Sequence, residues 1–77
     1  MIFIETTIFT KLLPKYLSDD EYRALQWYLL FYPDAGDLVR GSGGVRKVRW
    51  GSEGKGKSGG VRAMYYWKKS IEEIWLL

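Results

Sequence analysis

The chain contains neither cysteine nor histidine. The first absence excludes a disulfide framework, and the two together exclude the thiolate–imidazole sets that hold structural zinc. Without histidine, and with no obvious carboxylate pair, familiar acid–base catalysis also lacks its usual groups. Long apolar runs are missing too. The most apolar stretch, Ala24 to Pro33, is about half of what a membrane span requires and contains Gln26. The N-terminal MIFIETTIF has no basic leading region and no small-residue cleavage site, and Glu5 breaks its apolar run, so it does not read as a signal peptide. These absences lead to the expectation of a soluble, cytoplasmic protein with no membrane partner, no cofactor and no metal.

What is present must therefore fold without staples. Seventy-seven residues make a single domain, 1–77, and a chain of this size buries only about 60–65% of the surface that its unfolded form exposes. Four Trp, six Tyr and three Phe supply the large apolar surfaces that such a small core needs. The net charge is only +3, but it is unevenly spread. Arg40, Arg46, Lys47, Arg49, Lys55, Lys57, Arg62, Lys68 and Lys69 crowd the second half, where Glu53 is the sole acid between positions 40 and 69. Through Leu38 the balance is reversed, with six acids against three bases. A basic half rich in arginine points to an anionic partner, because guanidinium matches phosphate geometry better than mere solubility demands.

Hydrophobic periodicity gives an α+β order. Met1 to Ile8 alternates Ile2, Ile4, Thr6 and Ile8 against Phe3, Glu5 and Thr7, the pattern of a strand. Thr10 to Tyr16 reads as a short helical turn interrupted by Pro14. Ser18 then opens a helix to about Phe31, with Ser18 and Glu21 spaced as a capping box and acids in the positive first turn. Tyr22, Leu25, Leu29 and Tyr32 form its apolar stripe, widened by Tyr28 and Phe31. Turns follow at Pro33–Asp37 and Gly41–Gly44, then strands at Val45–Trp50 and Val61–Trp67, a reversal at Lys68–Ser70 and a last strand from Ile71 to Leu77. The expected architecture is β-α-α-β-β-β: an N-terminal strand, a helix or helical hairpin, and an antiparallel meander.

Gly51-Ser52-Glu53-Gly54-Lys55-Gly56-Lys57-Ser58 matches the phosphate-binding pattern G-x-x-x-x-G-K-[ST]. That motif works by opening a helix whose N-terminus receives the phosphates. Here Ser58 leads through Gly59 and Gly60 into strand composition, so a nucleotide loop is not expected. The segment reads instead as a basic hairpin tip suited to a polynucleotide backbone.

Period-two geometry sharpens that reading. On Val45–Trp50, Lys47 and Arg49 share one face, roughly 7 Å apart, while Val48 and Trp50 take the other. If the next strand pairs across the glycine loop, Arg62 joins them, with Met64 and Tyr66 continuing its row. Such a cluster can cradle a phosphate beside a stacked base. RNA carries its own nucleophile, the 2′-OH, so aligning it and relieving phosphate charge suffices for cleavage.

The strings Leu17-Ser-Asp-Asp-Glu-Tyr22, Tyr32-Pro-Asp-Ala-Gly-Asp37, Gly41-Ser-Gly-Gly-Val-Arg-Lys-Val-Arg49 and Gly54-Lys-Gly-Lys-Ser-Gly-Gly-Val-Arg-Ala-Met-Tyr-Tyr66 together resemble the HigB-like branch of the RelE/ParE toxin superfamily. The resemblance implies a small α+β toxin of a type II toxin–antitoxin system, a ribosome-dependent endoribonuclease that cleaves mRNA in the A site and is held inactive by a cognate antitoxin. It assigns Lys47, Arg49 and Arg62 as catalytic, and Arg46, Lys55, Lys57 and Tyr66 as RNA-binding. Family members continue beyond the fourth strand into a further segment of the catalytic face and a C-terminal helix, which nothing here matches. The chain therefore reads as C-terminally truncated, with Ile74-Trp75-Leu76-Leu77 as an exposed last strand that a homo-oligomer could complete. Two other readings are a non-catalytic RNA- or ribosome-binding module and a gyrase-targeting ParE-like toxin.

Overall fold

Ser18 starts the longest helix of the computed structural model, which describes residues 1–50 and 60–77. Its hydroxyl accepts the Glu21 N–H at 3.1 Å, and the Glu21 carboxylate accepts the Ser18 N–H at 2.7 Å, closing the expected capping box. Helix α2 (Asp19–Phe31) follows a strand β1 (Ile2–Glu5) and a helix α1 (Thr7–Tyr16). After it come β2 (Asp37–Leu38), β3 (Val45–Trp50), β4 (Val61–Lys68), a single 3-10 turn at Lys69–Ile71 and β5 (Glu73–Leu76).

The strand expected over Met1–Ile8 stops at Glu5, and a ten-residue helix replaces the short turn. Thr6 is the reason. Its hydroxyl accepts the Phe9 N–H at 3.3 Å, so β-branched residues that could extend a strand instead cap a helix. Glu5 secures the corner, accepting hydrogen bonds from the Thr10 hydroxyl at 2.6 Å and the Tyr22 hydroxyl at 2.7 Å. The helix turns Phe9 and Leu13, one helical turn apart, onto the core. Pro14 lies inside α1 rather than ending it, at the loss of one backbone bond.

The sheet runs β1-β5-β4-β3-β2. Strands β2 to β5 form the expected antiparallel meander, and β1 adds to β5 in parallel, so the whole sheet is mixed. Strand β2 has only two residues and no periodicity to read. Glu72 makes the reversal before β5, adopting the left-handed region at φ 51°. The C-terminal strand corrects an expectation. Strand β5 lies between β1 and β4, with Ile74 and Leu76 fully buried, so it is an interior strand of the sheet and not the exposed one expected. The edge strands are β1 and β2.

Both helices cover one sheet face. Leu17, Leu25 and Leu29 meet Ala63 and Tyr65 of β4 and Ile74 and Leu76 of β5. Phe31 and Tyr32, counted with the stripe from sequence, are exposed instead. Phe31 stacks on Trp27 and Tyr32 packs at a tilt against Tyr28, each one turn back along α2. Trp50 closes the other end of the core by donating its indole N–H to the Glu21 carbonyl at 3.0 Å.

Tyr65, in the central strand, is the only fully buried core side chain carrying a hydroxyl among the described residues. It donates to the Pro33 carbonyl at 2.8 Å and accepts the Gly36 N–H at 3.0 Å. Gly36 is obligatory, because a Cβ there would sit 2.7 Å from the Lys47 carbonyl oxygen. This pair of bonds presses the 33–36 turn onto the sheet and delivers Asp37 to β3.

Two outcomes follow. Tyr65→Phe strands a buried donor and an acceptor and should cost about 1–3 kcal/mol in urea unfolding, with little change in its slope. A midpoint equal to the parent's would show that the turn is held by other contacts. Stability should also fall as pH rises past about 10, the ordinary tyrosine value. Burial raises the pKa of Tyr65, and burial together with the Glu5 hydrogen bond and charge raises that of Tyr22. Above that pH the unfolded chain releases protons that the folded chain retains, so unfolding is favoured. Urea midpoints at pH 8 and 11 test this; the drop should shrink in Tyr22→Phe.

Candidate nucleic-acid interface

Residues directly opposite one another in a sheet share a face. The register places Arg49 opposite Arg62 and Lys47 opposite Met64 between β3 and β4. Tyr66 lies opposite Trp75 between β4 and β5, and Asp37 opposite Lys47 between β2 and β3. All these positions belong to the face that the helices do not cover. Lys47, Arg49 and Arg62 are exposed there, as their alternation with Val48, Trp50 and Ala63 requires.

The spacing within the cluster follows from the ladder. Leu77 donates its N–H to the Met64 carbonyl at 2.9 Å, so the backbone groups of Met64 point toward the β5 side. By alternation Arg62 points the same way, which makes Lys47–Met64 and Arg49–Arg62 the narrow, non-hydrogen-bonded pairs of the β3–β4 ladder. Narrow pairs bring side chains closest, and like charges directly opposite are destabilising. Arg49 and Arg62 thus face one another at the position where opposite side chains come closest, which concentrates positive charge on this face.

Beside the cations lies an aromatic platform. Tyr66 is half-buried, and Gly44 holds it from one side: a Cβ there would come within 3.0 Å of the ring, and φ is +119°. Trp75 projects outward while its neighbours Ile74 and Leu76 are buried, and its indole N–H donates to the Glu73 carboxylate at 3.0 Å. The face is therefore cationic toward β3 and aromatic toward β5, a gradient that suits a phosphate at one end and a base at the other. Asp37 and Glu73 mark its margins.

The residues singled out from sequence separate into three groups. Lys47, Arg49 and Arg62 come together, with Tyr66 farther along the same row. Arg46 does not join them. It faces the helix-covered side and donates to the carbonyls of Gly36 at 2.8 Å and Asp34 at 3.2 Å, so its place is in holding the 33–36 turn. Its neighbours in sequence gave it the same charge but the opposite parity. Lys55 and Lys57, with the phosphate-loop lookalike Gly51–Ser58, lie outside the described residues; the chain resumes as strand β4. Sequence reasoning missed Trp75 and Asp37 as site residues. The alternation of buried Ile74 and Leu76 around Trp75 was a usable signal, whereas a two-residue strand left none for Asp37.

Among the described residues, no three His, Cys, Asp or Glu side chains gather as a metal site, and no helix is long and apolar enough to cross a membrane. No family model matches the chain.

Arg62→Gln keeps the length of the side chain and removes one of the facing charges. It should raise folding stability by about 0.2–1 kcal/mol in urea titration at low salt, and the gain should fade as salt screens the pair. A loss of stability would mean that Arg62 is held by favourable contacts in the free protein.

Proposed function

We propose that the uncovered face of the sheet binds single-stranded RNA and that the chain is an mRNA-cleaving toxin of the RelE-like kind, acting on ribosomes in the cytoplasm and restrained by a cognate antitoxin. One observation carries the reading: Lys47, Arg49 and Arg62 converge on an open face beside the Tyr66–Trp75 platform. The sequence resemblance supplies the ribosome, the message and the antitoxin as partners.

In this reading Arg49 and Arg62 flank the scissile phosphate and offset its charge as it rises in the transition state. Tyr66 and Trp75 stack a neighbouring base, fixing the sugar so that its 2′-OH stands in line with the leaving oxygen. The O2′–P bond forms as the P–O5′ bond breaks. The 2′-OH proton passes to solvent, and the 5′ oxygen takes up a proton. The products are a 2′,3′-cyclic phosphate and a 5′-hydroxyl.

A second reading, RNA binding without cleavage, is favoured by one observation. The chain has no histidine, so no imidazole stands ready to move the 2′-OH proton. The acid nearest the cluster in the sheet register is Asp37, which faces Lys47.

Fluorescence anisotropy on single-stranded RNA separates these readings from none at all. If Lys47, Arg49, Lys55, Lys57 and Arg62 neutralise five phosphates, the log–log salt slope should be near −3.5, and Lys47→Gln or Arg62→Gln should each flatten it by about 0.7. Incubation with translating ribosomes should then cut message within codons, leaving cyclic phosphate ends. Salt-sensitive binding with intact message selects the binding module. Affinity indifferent to salt and to both substitutions sinks both readings.

A further inference from the structure

A carboxylate on a face that collects phosphate repels the ligand, so its presence there calls for another role. The open face carries Asp37 and Glu73, and their surroundings differ. Asp37 is exposed on the short edge strand and stands opposite Lys47, where it trims a cationic cluster. Glu73 lies at the aromatic end, half-buried at the start of β5. In the register Ile2 of β1 and Lys68 of β4 border Glu73, just as Ile4 and Tyr66 border Trp75.

Geometry shows where the Glu73 carboxylate goes. Glu73 and Trp75 are two apart on one strand and share its open side. The Trp75 indole N–H donates to Glu73 Oε1 at 3.0 Å. An indole N–H points outward in the plane of its ring, so the carboxylate is held at the ring's edge and not over its face. Trp75 is 37% exposed, which leaves ring surface open to a stacked base. A carboxylate offers about four lone-pair sites on two oxygens, and the indole takes one of them. A base lying on Trp75 therefore has a fixed pair of acceptors beside its edge. Ile2 and Ile4 border the carboxylate and the ring with apolar surface, which strengthens a charged hydrogen bond and raises the penalty of a mismatched one.

We infer that Glu73, positioned by the Trp75 indole, selects guanine as the base stacked on the Tyr66–Trp75 platform. Guanine presents its N1–H and its amino group side by side on the Watson–Crick edge, donors that match both carboxylate oxygens. Adenine and cytosine each set an amino group beside an acceptor nitrogen, and uracil sets its N3–H between carbonyls. Each of these brings a lone pair against the carboxylate, so rejection works by repulsion as well as by lost bonds. The assignment rests on reading this face as a single-stranded RNA site, and it adds the base that the site prefers. From Arg62 to Tyr66 the row runs roughly 13 Å along β4. The guanine is thus read at a distance along the strand from the phosphate that Arg49 and Arg62 hold.

The test uses the full chain and short fluorescent uridine tracts with a single central guanosine, inosine, adenosine or cytidine, read by anisotropy at fixed salt. The guanosine tract should bind about tenfold more tightly than the adenosine, cytidine and all-uridine tracts, as a charge-assisted pair of bonds warrants. Inosine keeps the N1–H and lacks the amino group, so its tract should fall between them. Glu73→Gln should level the guanosine and adenosine tracts, and it should tighten all tracts together because a negative charge leaves the face. Trp75→Phe keeps a stacking ring without the N–H and should shrink the guanosine-to-adenosine ratio. The inosine series needs only the parent chain, so it stands even where a variant fails to fold. Equal affinity of the parent for the guanosine and adenosine tracts, or a guanosine preference that persists in Glu73→Gln, overturns the inference. Inosine bound as tightly as guanosine does the same, since the paired donors would then play no part. Salt-sensitive binding without base preference sinks this inference and leaves the RNA face standing. Absence of binding to every tract sinks the RNA reading, and the guanine assignment with it.

Discussion

The hydroxyl of Tyr65 is the constraint on which the remaining structure depends. It lies in the central strand, fully buried, in a chain too small to fold on apolar area with margin to spare. A buried hydroxyl is costly unless it is bonded, and this one is bonded on both sides, to the Pro33 carbonyl and the Gly36 N–H. Those bonds fix the turn that follows α2, and Arg46 reinforces it from the neighbouring strand. Gly36 then lies so close to the Lys47 carbonyl that no side chain fits between. The path of the turn, the pairing of β2 with β3 and the position of Lys47 are thus one arrangement.

From that arrangement the sheet acquires two faces of different character. The covered face receives Leu17, Leu25 and Leu29 and is apolar except for groups that are hydrogen-bonded, with the Trp67 indole N–H the one buried side-chain donor left unbonded among the described residues. The open face collects cations on β3 and β4 and aromatics on β4 and β5. Arg49 stands opposite Arg62 on this face, so the register concentrates positive charge where side chains come closest.

Much of this was legible in the residues. The capping box marks the start of α2 because a hydroxyl and a carboxylate three residues apart satisfy two backbone donors locally. Strict alternation along Val45–Trp50 and Val61–Lys68 sorts cations from core residues, because successive side chains leave a strand on opposite sides. What alternation could not reveal is which strands neighbour one another. The parallel addition of β1 to β5, the burial of the final strand between two others, the two-residue β2 that places Asp37, and the turn-holding role of Arg46 all depend on contacts between residues far apart in the chain. Local propensity carries no information about those contacts. Sequence determined which residues share a face; only the packing of the 33–36 turn and the helices onto the sheet decided which face stays open.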